Sequence, residues 1–249
     1  MSEIFVVILA AGMGKRMGNP DRAKVLTPLR DKPLLGYVLE TAQSLRPKQI
    51  VVIAGHQRQA VANYATSIVP ECRVVIQEEQ RGTGHAVLQT EPVLGALNGT
   101  VLILSGDVPL LSASTLRRLL DTHTQSNATA TVLTTVVDDP TGYGRIIRDE
   151  SNTMIGIIEQ KDATETQQKI REINSGVYVV QSTALFDSLH SVQNTNAQSE
   201  YYLTDIIAIL KERGLGIASF CTEKSWEVHG INTPADLQQT EAILRSTHD

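Results

Sequence analysis

The chain has 249 residues, enough for one large domain or one domain with a small appendage, and its 41% hydrophobic content is that of a globular protein, which excludes a disordered or collagen-like chain. Lys and Arg number 22 against 27 Asp and Glu, a net charge of −5 that argues against a nonspecific nucleic-acid or membrane-surface binder. Two cysteines, Cys72 and Cys221, are too few for a disulfide framework and stand in no zinc-binding spacing, so a reducing, cytoplasmic compartment is expected.

In chain order, the apolar run Ile4 to Ala11 follows Glu3 where a basic segment would mark a signal peptide, and it reads as a buried strand from Ile4 to Leu9. No run reaches the ~18 apolar residues needed to cross a bilayer. Leu34, Leu35, Val38, Leu39, Ala42 and Leu45 form one helical stripe beginning after Pro33. A strand at Ile50 to Ala54, a helix around Gln57 to Ser67, a strand at Arg73 to Gln77 and a helix opening near Gly84 follow, and the apolar strand Val101 to Leu104 then runs into Ser105-Gly106-Asp107. This alternation predicts a largely parallel, doubly wound sheet. From Ala128 the strands become denser, at Ala128 to Val137, Arg145 to Arg148, Met154 to Ile158 and Glu172 to Val180, as in an antiparallel extension of the same sheet. Helices are predicted at Leu203 to Arg213 and Pro234 to Arg245, with Thr233 as N-cap of the second, and Trp226 to Ile231 reads as a strand. With no linker or internal repeat, the chain is expected to form one domain of two lobes: about 1–110, about 111–230, and a closing helix at about 233–246.

Ligands of such sheets bind beyond the carboxyl ends of the parallel strands. The segment Ala10 to Lys32 carries Lys15, Arg16, Arg22, Lys24, Arg30 and Lys32 against Asp21 and Asp31, so positive charge gathers beside that edge of an acidic protein. Gly12 and Gly14 allow backbone N–H groups to approach an anion, and Arg16 and Lys24 can meet phosphate oxygens. A polyphosphate ligand is implied; the alternative is a solvated basic loop with turning glycines. The spacing fits neither a Walker A loop nor the dinucleotide fingerprint, since Met17 stands where that fingerprint needs glycine, and Pro20 and Pro28 indicate a loop. Gln77 and the run Gln80 to Ala86, with Gly82 and Thr83, can read a planar base edge or simply make a glycine turn. Asp107 is placed to hold Mg²⁺ or to open an Asx turn, and Asn232 to add a second oxygen ligand or to begin a turn. No Gly-x-Ser-x-Gly elbow or other evident protein nucleophile is present, which suits a substrate that brings its own.

Leu9-Ala10-Ala11-Gly12-Met13-Gly14-Lys15-Arg16-Met17 with Ala23-Lys24-Val25-Leu26 resembles the signature loop of the sugar-phosphate nucleotidyltransferases. The blocks Gln80 to Ala86, Gly106 to Leu110, Gly142 to Ile146, Ile158 to Ala163, Asn174 to Tyr178 and Glu200 to Asp205 are similar, in order, to the uridyltransferase domains of bifunctional GlmU proteins. The resemblance implies a Rossmann-like, GT-A-like mixed sheet flanked by helices. It also implies Mg²⁺-dependent uridylyl transfer from UTP to N-acetylglucosamine 1-phosphate, a step in making cell-wall precursors, with no nucleic-acid or membrane partner. On its terms Gln77, Gly82 and Thr83, with Leu9, Ala10, Ala11, Gly12 and Gly14, meet the nucleotide, while Arg16 and Lys24 hold the triphosphate. Asp107 and Asn232 then bind Mg²⁺, and Gly144, Glu159 and Asn174 hold the sugar. A uridylyl- or thymidylyltransferase acting on another sugar 1-phosphate, such as glucose 1-phosphate, and a noncatalytic nucleotide-sugar binding module are the alternatives. Ser105 and His229 depart from the pattern, where a Tyr and an acidic residue are frequent. The hexapeptide-repeat β-helix that gives the bifunctional relatives acetyl transfer and trimeric assembly is missing from the chain, so acetyl transfer is not expected.

Overall fold

A computed structural model of the protein describes residues 3–19 and 21–246. Pro20, one of the two prolines taken to keep the basic segment a loop, and the side chain of Lys15 lie outside what is described. The chain runs β1 (Ile4–Ala10), a short hairpin of β2 (Pro28–Leu29) and β3 (Lys32–Pro33), α1 (Leu34–Ser44), β4 (Gln49–Ala54), α2 (Arg58–Ile68) and β5 (Arg73–Ile76). It continues through α3 (Thr83–Leu88), α4 (Glu91–Leu94), β6 (Thr100–Ser105), α5 (Ala113–Gln125), β7 (Ala130–Val136), β8 (Arg145–Arg148) and β9 (Met154–Ile158). The last elements are α6 (Glu165–Gln168), β10 (Glu172–Gln181), α7 (Ser182–Leu189), α8 (Asp205–Glu212), β11 (Ile217–Thr222) and α9 (Pro234–Ser246).

The main sheet has the order β11-β7-β10-β6-β1-β4-β5, with β8 and β9 attached beside β10. β6, β1, β4 and β5 are mutually parallel, as the alternating pattern predicts, and β10 is antiparallel to both β6 and β7. Each strand of the parallel part is apolar on both faces because helices cover both. Val6, Ile8 and Ala10 of β1 pack with Leu35, Leu39, Val61 and Leu116 of α1, α2 and α5. Phe5 and Val7 face Ala86, Leu185 and Ile206 of α3, α7 and α8. Fully burying such a side chain contributes about 1.5–3 kcal/mol. No described helix is long and apolar enough to cross a membrane.

Three differences from the sequence reading stand out. The predicted strand Trp226 to Ile231 is instead a 3₁₀ turn, Ser225–Val228, followed by extended chain. In it Trp226 is exposed while Glu227 is only 3% exposed, because Glu227 turns inward to accept hydrogen bonds from Ser112. The antiparallel extension is completed by β11, which pairs parallel with β7. Two helices, α5 and α7, fall in segments to which no element was assigned. Thr233 does cap α9: its Oγ1 accepts from Asp236 N–H at 3.2 Å while Asp236 Oδ2 accepts from Thr233 N–H at 2.8 Å.

Candidate active site

The chain reverses its winding between β1 and β6, since β4 and β5 follow β1 on one side while β6 returns on the other. Such a switch point leaves a crevice at the strand ends. Here it is a cavity of about 470 Å³ lined by the β1 loop (Leu9, Ala11, Gly12, Met13, Gly14), by Lys24 and Val25, by Gln77, Gln80, Gly82, Thr83 and Ala86, by Ser105 and Asp107, and by Glu200. Gly106 N–H donates to Leu9 O at 2.9 Å and fixes the two strand ends against each other.

Local backbone chemistry sets the floor. Gly14 has φ +62°, in the left-handed region, and a Cβ there would lie 2.5 Å from Lys24 Cβ, so the loop can pass this close only with glycine. Lys24 opens a 3₁₀ turn, Lys24–Leu26, anchored by the buried Val25. Its ammonium donates to Asp107 Oδ2 and, at 2.9 Å, to Asn232 Oδ1. Asn232 reaches the site because Ile231 N–H donates to Asp107 O at 2.9 Å. A carboxylate and an amide oxygen, both in contact with one cationic nitrogen, are the hard-oxygen donor pair that Mg²⁺ takes together with water and phosphate. The residues therefore fit that ion.

On the opposite wall, the buried Gln77 donates through Nε2 to Gly82 O at 3.0 Å and meets His85 Nδ1 at 3.1 Å. Burial, aided by the charge of Arg81, lowers the His85 pKa and favours the neutral ring. With its Nε2 engaged by these two contacts, Gln77 has its oxygen left for a ligand. Gly82 has φ +113° and packs on the backbone of Tyr201, where a Cβ would come within 2.5 Å of the carbonyl oxygen. Gln80 Nε2 donates to Ala11 O at 2.7 Å and ties this wall to the β1 loop.

Gly144, Glu159 and Asn174 are brought together on the β8-β9-β10 side. Asn174 N–H donates to Gly144 O at 2.9 Å, and a Cβ on Gly144 would lie 3.5 Å from Glu159 Oε1. Asn174 Nδ2 donates to Tyr178 Oη at 2.7 Å, and its Oδ1 accepts from Gly176 N–H at 3.0 Å, across a register shift in β10. Gly176 adjoins the cavity, with Ser105 Oγ 3.3 Å from where its Cβ would stand. Burial raises the Glu159 pKa, and Thr204 Oγ1 donates to its Oε1 at 3.3 Å.

Six expected residues stand outside the cavity lining: Asn232, which reaches it through Lys24, the cluster of Gly144, Glu159 and Asn174, of which Glu159 lines a smaller neighbouring cavity, and Ala10 and Arg16. Ala10 is buried in β1, and Arg16 lies exposed in the turn Lys15–Met17. One further contributor, Arg145, was not singled out from sequence as a site residue. Arg145, 1% exposed, braces the Gly144 loop by donating to Tyr143 O, to Gln168 O at 3.3 Å and to Gln160 Oε1 at 2.7 Å. An arginine beginning a strand beside Gly144 was the available signal. His229 sets its ring edge-on to Tyr143, 6.2 Å between centroids, next to that loop.

Residues 6–202 match the family model of the MobA-like NTP transferase domain. The chain belongs to the MobA-like NTP transferase family. It is 43% identical to the bifunctional protein GlmU of Caldanaerobacter subterraneus subsp. tengcongensis over 245 residues, 98% of this chain and 52% of that protein. It is 44% identical to GlmU of Streptomyces avermitilis over 241 residues, 96% of this chain and 50% of that protein. This NTP transferase chain thus spans about half the length of the curated relatives it matches. A solved UDP-glucose pyrophosphorylase complexed with UDP-glucose shares its fold with a TM-score of 0.79, covering 99% of this chain and all of that one, at 17% identity. The resemblance carried by the sequence blocks and the mixed α/β fold are both borne out.

Proposed function

We propose that this protein transfers a uridylyl group from UTP to N-acetylglucosamine 1-phosphate, forming UDP-N-acetylglucosamine and releasing pyrophosphate. The observation that carries the proposal is the meeting of Lys24, Asp107 and Asn232 at the switch point, with the Gln77-Gly82-Thr83 wall and the Gly144-Glu159-Asn174 cluster on either side. The likeness to GlmU over nearly the whole chain supports it. In this reading the lobe of about 1–110 binds the nucleotide, that of about 111–230 binds the sugar phosphate, and the helix at about 233–246 closes the chain.

The acceptor's phosphate oxygen is already an anionic nucleophile near neutral pH. It attacks the α-phosphorus in line, a new P–O bond forms, the α–β bridge bond breaks, and pyrophosphate leaves with the electron pair. Such chemistry needs positioning and charge neutralisation more than a protein base. The Gln77 oxygen accepts a base N–H, which uracil offers at N3 and cytosine does not, while Gly82, Thr83 and the backbone of Leu9 to Gly14 seat the nucleoside. Lys24 and Arg16 meet the triphosphate, Arg16 from its exposed turn. Asp107 and Asn232 hold Mg²⁺, which when bound supplies neutralisation of phosphate charge. Gly144, Glu159 and Asn174 orient the sugar.

The test is pyrophosphate release with Mg²⁺ for UTP, dTTP, CTP, GTP and ATP against N-acetylglucosamine 1-phosphate, glucose 1-phosphate and glucosamine 1-phosphate. A maximum at UTP with N-acetylglucosamine 1-phosphate is expected, and Asp107→Ala or Lys24→Ala should cost about 10²- to 10³-fold in turnover. A maximum at another pair overturns the substrate assignment. No release from any pair, with tight UDP-sugar binding, overturns catalysis itself.

A further inference from the structure

The three groups at the switch point are not equally fixed. Asp107 is tied through its carbonyl to Ile231 N–H at 2.9 Å. Asn232 is held at its N–H by Asp236 Oδ2 at 2.9 Å and at its Nδ2 by Gly230 O at 3.2 Å. Both present their oxygens from braced backbone. Lys24, by contrast, places an ammonium at the end of a flexible four-carbon stem whose base is wedged against Gly14. The ammonium engages both oxygens at once, and the Lys24 and Asp107 side chains are only 14% and 16% exposed, so water screens the arrangement weakly. The same two oxygens are the ones assigned above to the metal. An ammonium and a divalent cation repel each other and compete for them.

We infer that Lys24 is a displaceable internal counter-ion: it keeps Asp107 and Asn232 assembled, competes with a divalent cation for their oxygens, and yields them when a triphosphate draws its ammonium away. The inference rests on the nucleotidyl-transfer reading for the identity of the metal-binding pair. It makes Lys24 the element that couples nucleotide to metal. Without triphosphate the lysine suppresses metal binding; with it, the lysine pairs with phosphate and the oxygens are released. Linkage then requires that metal and nucleotide strengthen each other's binding by the same factor.

Mn²⁺, titrated into the protein and followed by the electron paramagnetic resonance of the free ion, tests this without turnover, with no sugar phosphate present. The proteins are the wild type, Lys24→Met, Lys24→Gln and the double variant Lys24→Met with Asp107→Asn. Each uncharged Lys24 variant should bind Mn²⁺ alone more tightly than the wild type, by roughly 5- to 150-fold, the range of such couplings. Adding UTP should then tighten Mn²⁺ less than it does in the wild type, and the double variant should lose the gain. Lys24 variants that melt as the wild type does yet bind Mn²⁺ no more tightly overturn the inference, as does a gain that survives Asp107→Asn. Wild-type pyrophosphate release separates the two readings. Turnover with no gain in the Lys24 variants defeats the counter-ion alone, whereas a gain with no turnover from any substrate pair defeats the uridylyl-transfer reading alone.

Discussion

Leu203 and Thr83, 120 positions apart, are joined directly: the backbone N–H of Leu203 donates to Thr83 Oγ1 at 3.0 Å. The next residue, Thr204, donates to Glu159. A short path of hydrogen bonds thus connects the wall at Gln77 to the cluster at Gly144.

Thr83→Val keeps the side-chain shape and removes the acceptor, leaving the N–H of the buried Leu203 unpaired. A loss of about 1–3 kcal/mol in urea unfolding is expected, with Thr83→Ser close to the wild type. Equal stability of the valine variant would show that the bond carries no weight.

Gly14→Ala forces a side chain into the left-handed region and against the base of Lys24. The backbone cost is about 1–2 kcal/mol. The larger effect should fall on pyrophosphate release, by about 10²-fold, because the displaced ammonium no longer meets the phosphates. Melting and turnover measured on the same preparation check this; full activity in a folded variant contradicts the role given to the glycine.

Asp205 has its pKa pushed up to about 6, first by burial and then by the charge of Asp162, which lines the same small cavity beside Glu159. An unfolded aspartate titrates near 3.9, so between about pH 4 and pH 6 the folded chain holds the extra proton and this group's contribution falls as pH rises. Asp205→Asn removes that dependence. The melting temperature of the variant relative to the wild type should climb from about pH 4 to pH 6 and then level off. A difference that is flat across the range refutes the shift.

Glu227 behaves in the opposite sense. Burial alone would raise its pKa, but hydrogen bonds from Thr115, Lys224 and Ser112 outweigh burial and hold the carboxyl below its ordinary value. The stability it contributes is present above the unfolded glutamate pKa of about 4.3 and is lost as pH falls through the folded value. Glu227→Gln should cost about 1–3 kcal/mol at pH 7 and nothing in strong acid, as read by denaturant melts at the two pH values. A cost that persists unchanged in acid would assign the effect to packing.

The parallel half of the sheet was legible because its strands are short apolar runs between turn residues, and β1, β4 and β6 come within two residues of their predicted bounds. Trp226 to Ile231 misled because the segment is placed by Glu227, a charged residue buried through partners on another segment, which no local pattern announces. β11 escaped notice because IASFCT is only half buried and finds its place by pairing with β7, a contact no local pattern encodes. At the site, each of Lys24, Asp107 and Asn232 could be nominated from its neighbours. That one ammonium joins the other two, across 83 and 208 positions, is a product of tertiary structure. Arg16 shows the converse: a charge in the right loop need not face the cavity.

β10 carries Asn174 near one end, while its other end, from Tyr178 to Gln181, pairs with Ile103 to Thr100 of β6. β7 accompanies it along both parts. The same strand therefore runs, through the register shift between Asn174 and Tyr178, from the half that holds Asp107 to the half that holds Asn174, so swinging one half against the other would have to disturb its pairing. In the proposed reaction, nucleotide and sugar phosphate would thus meet across a spacing that this shared strand sets.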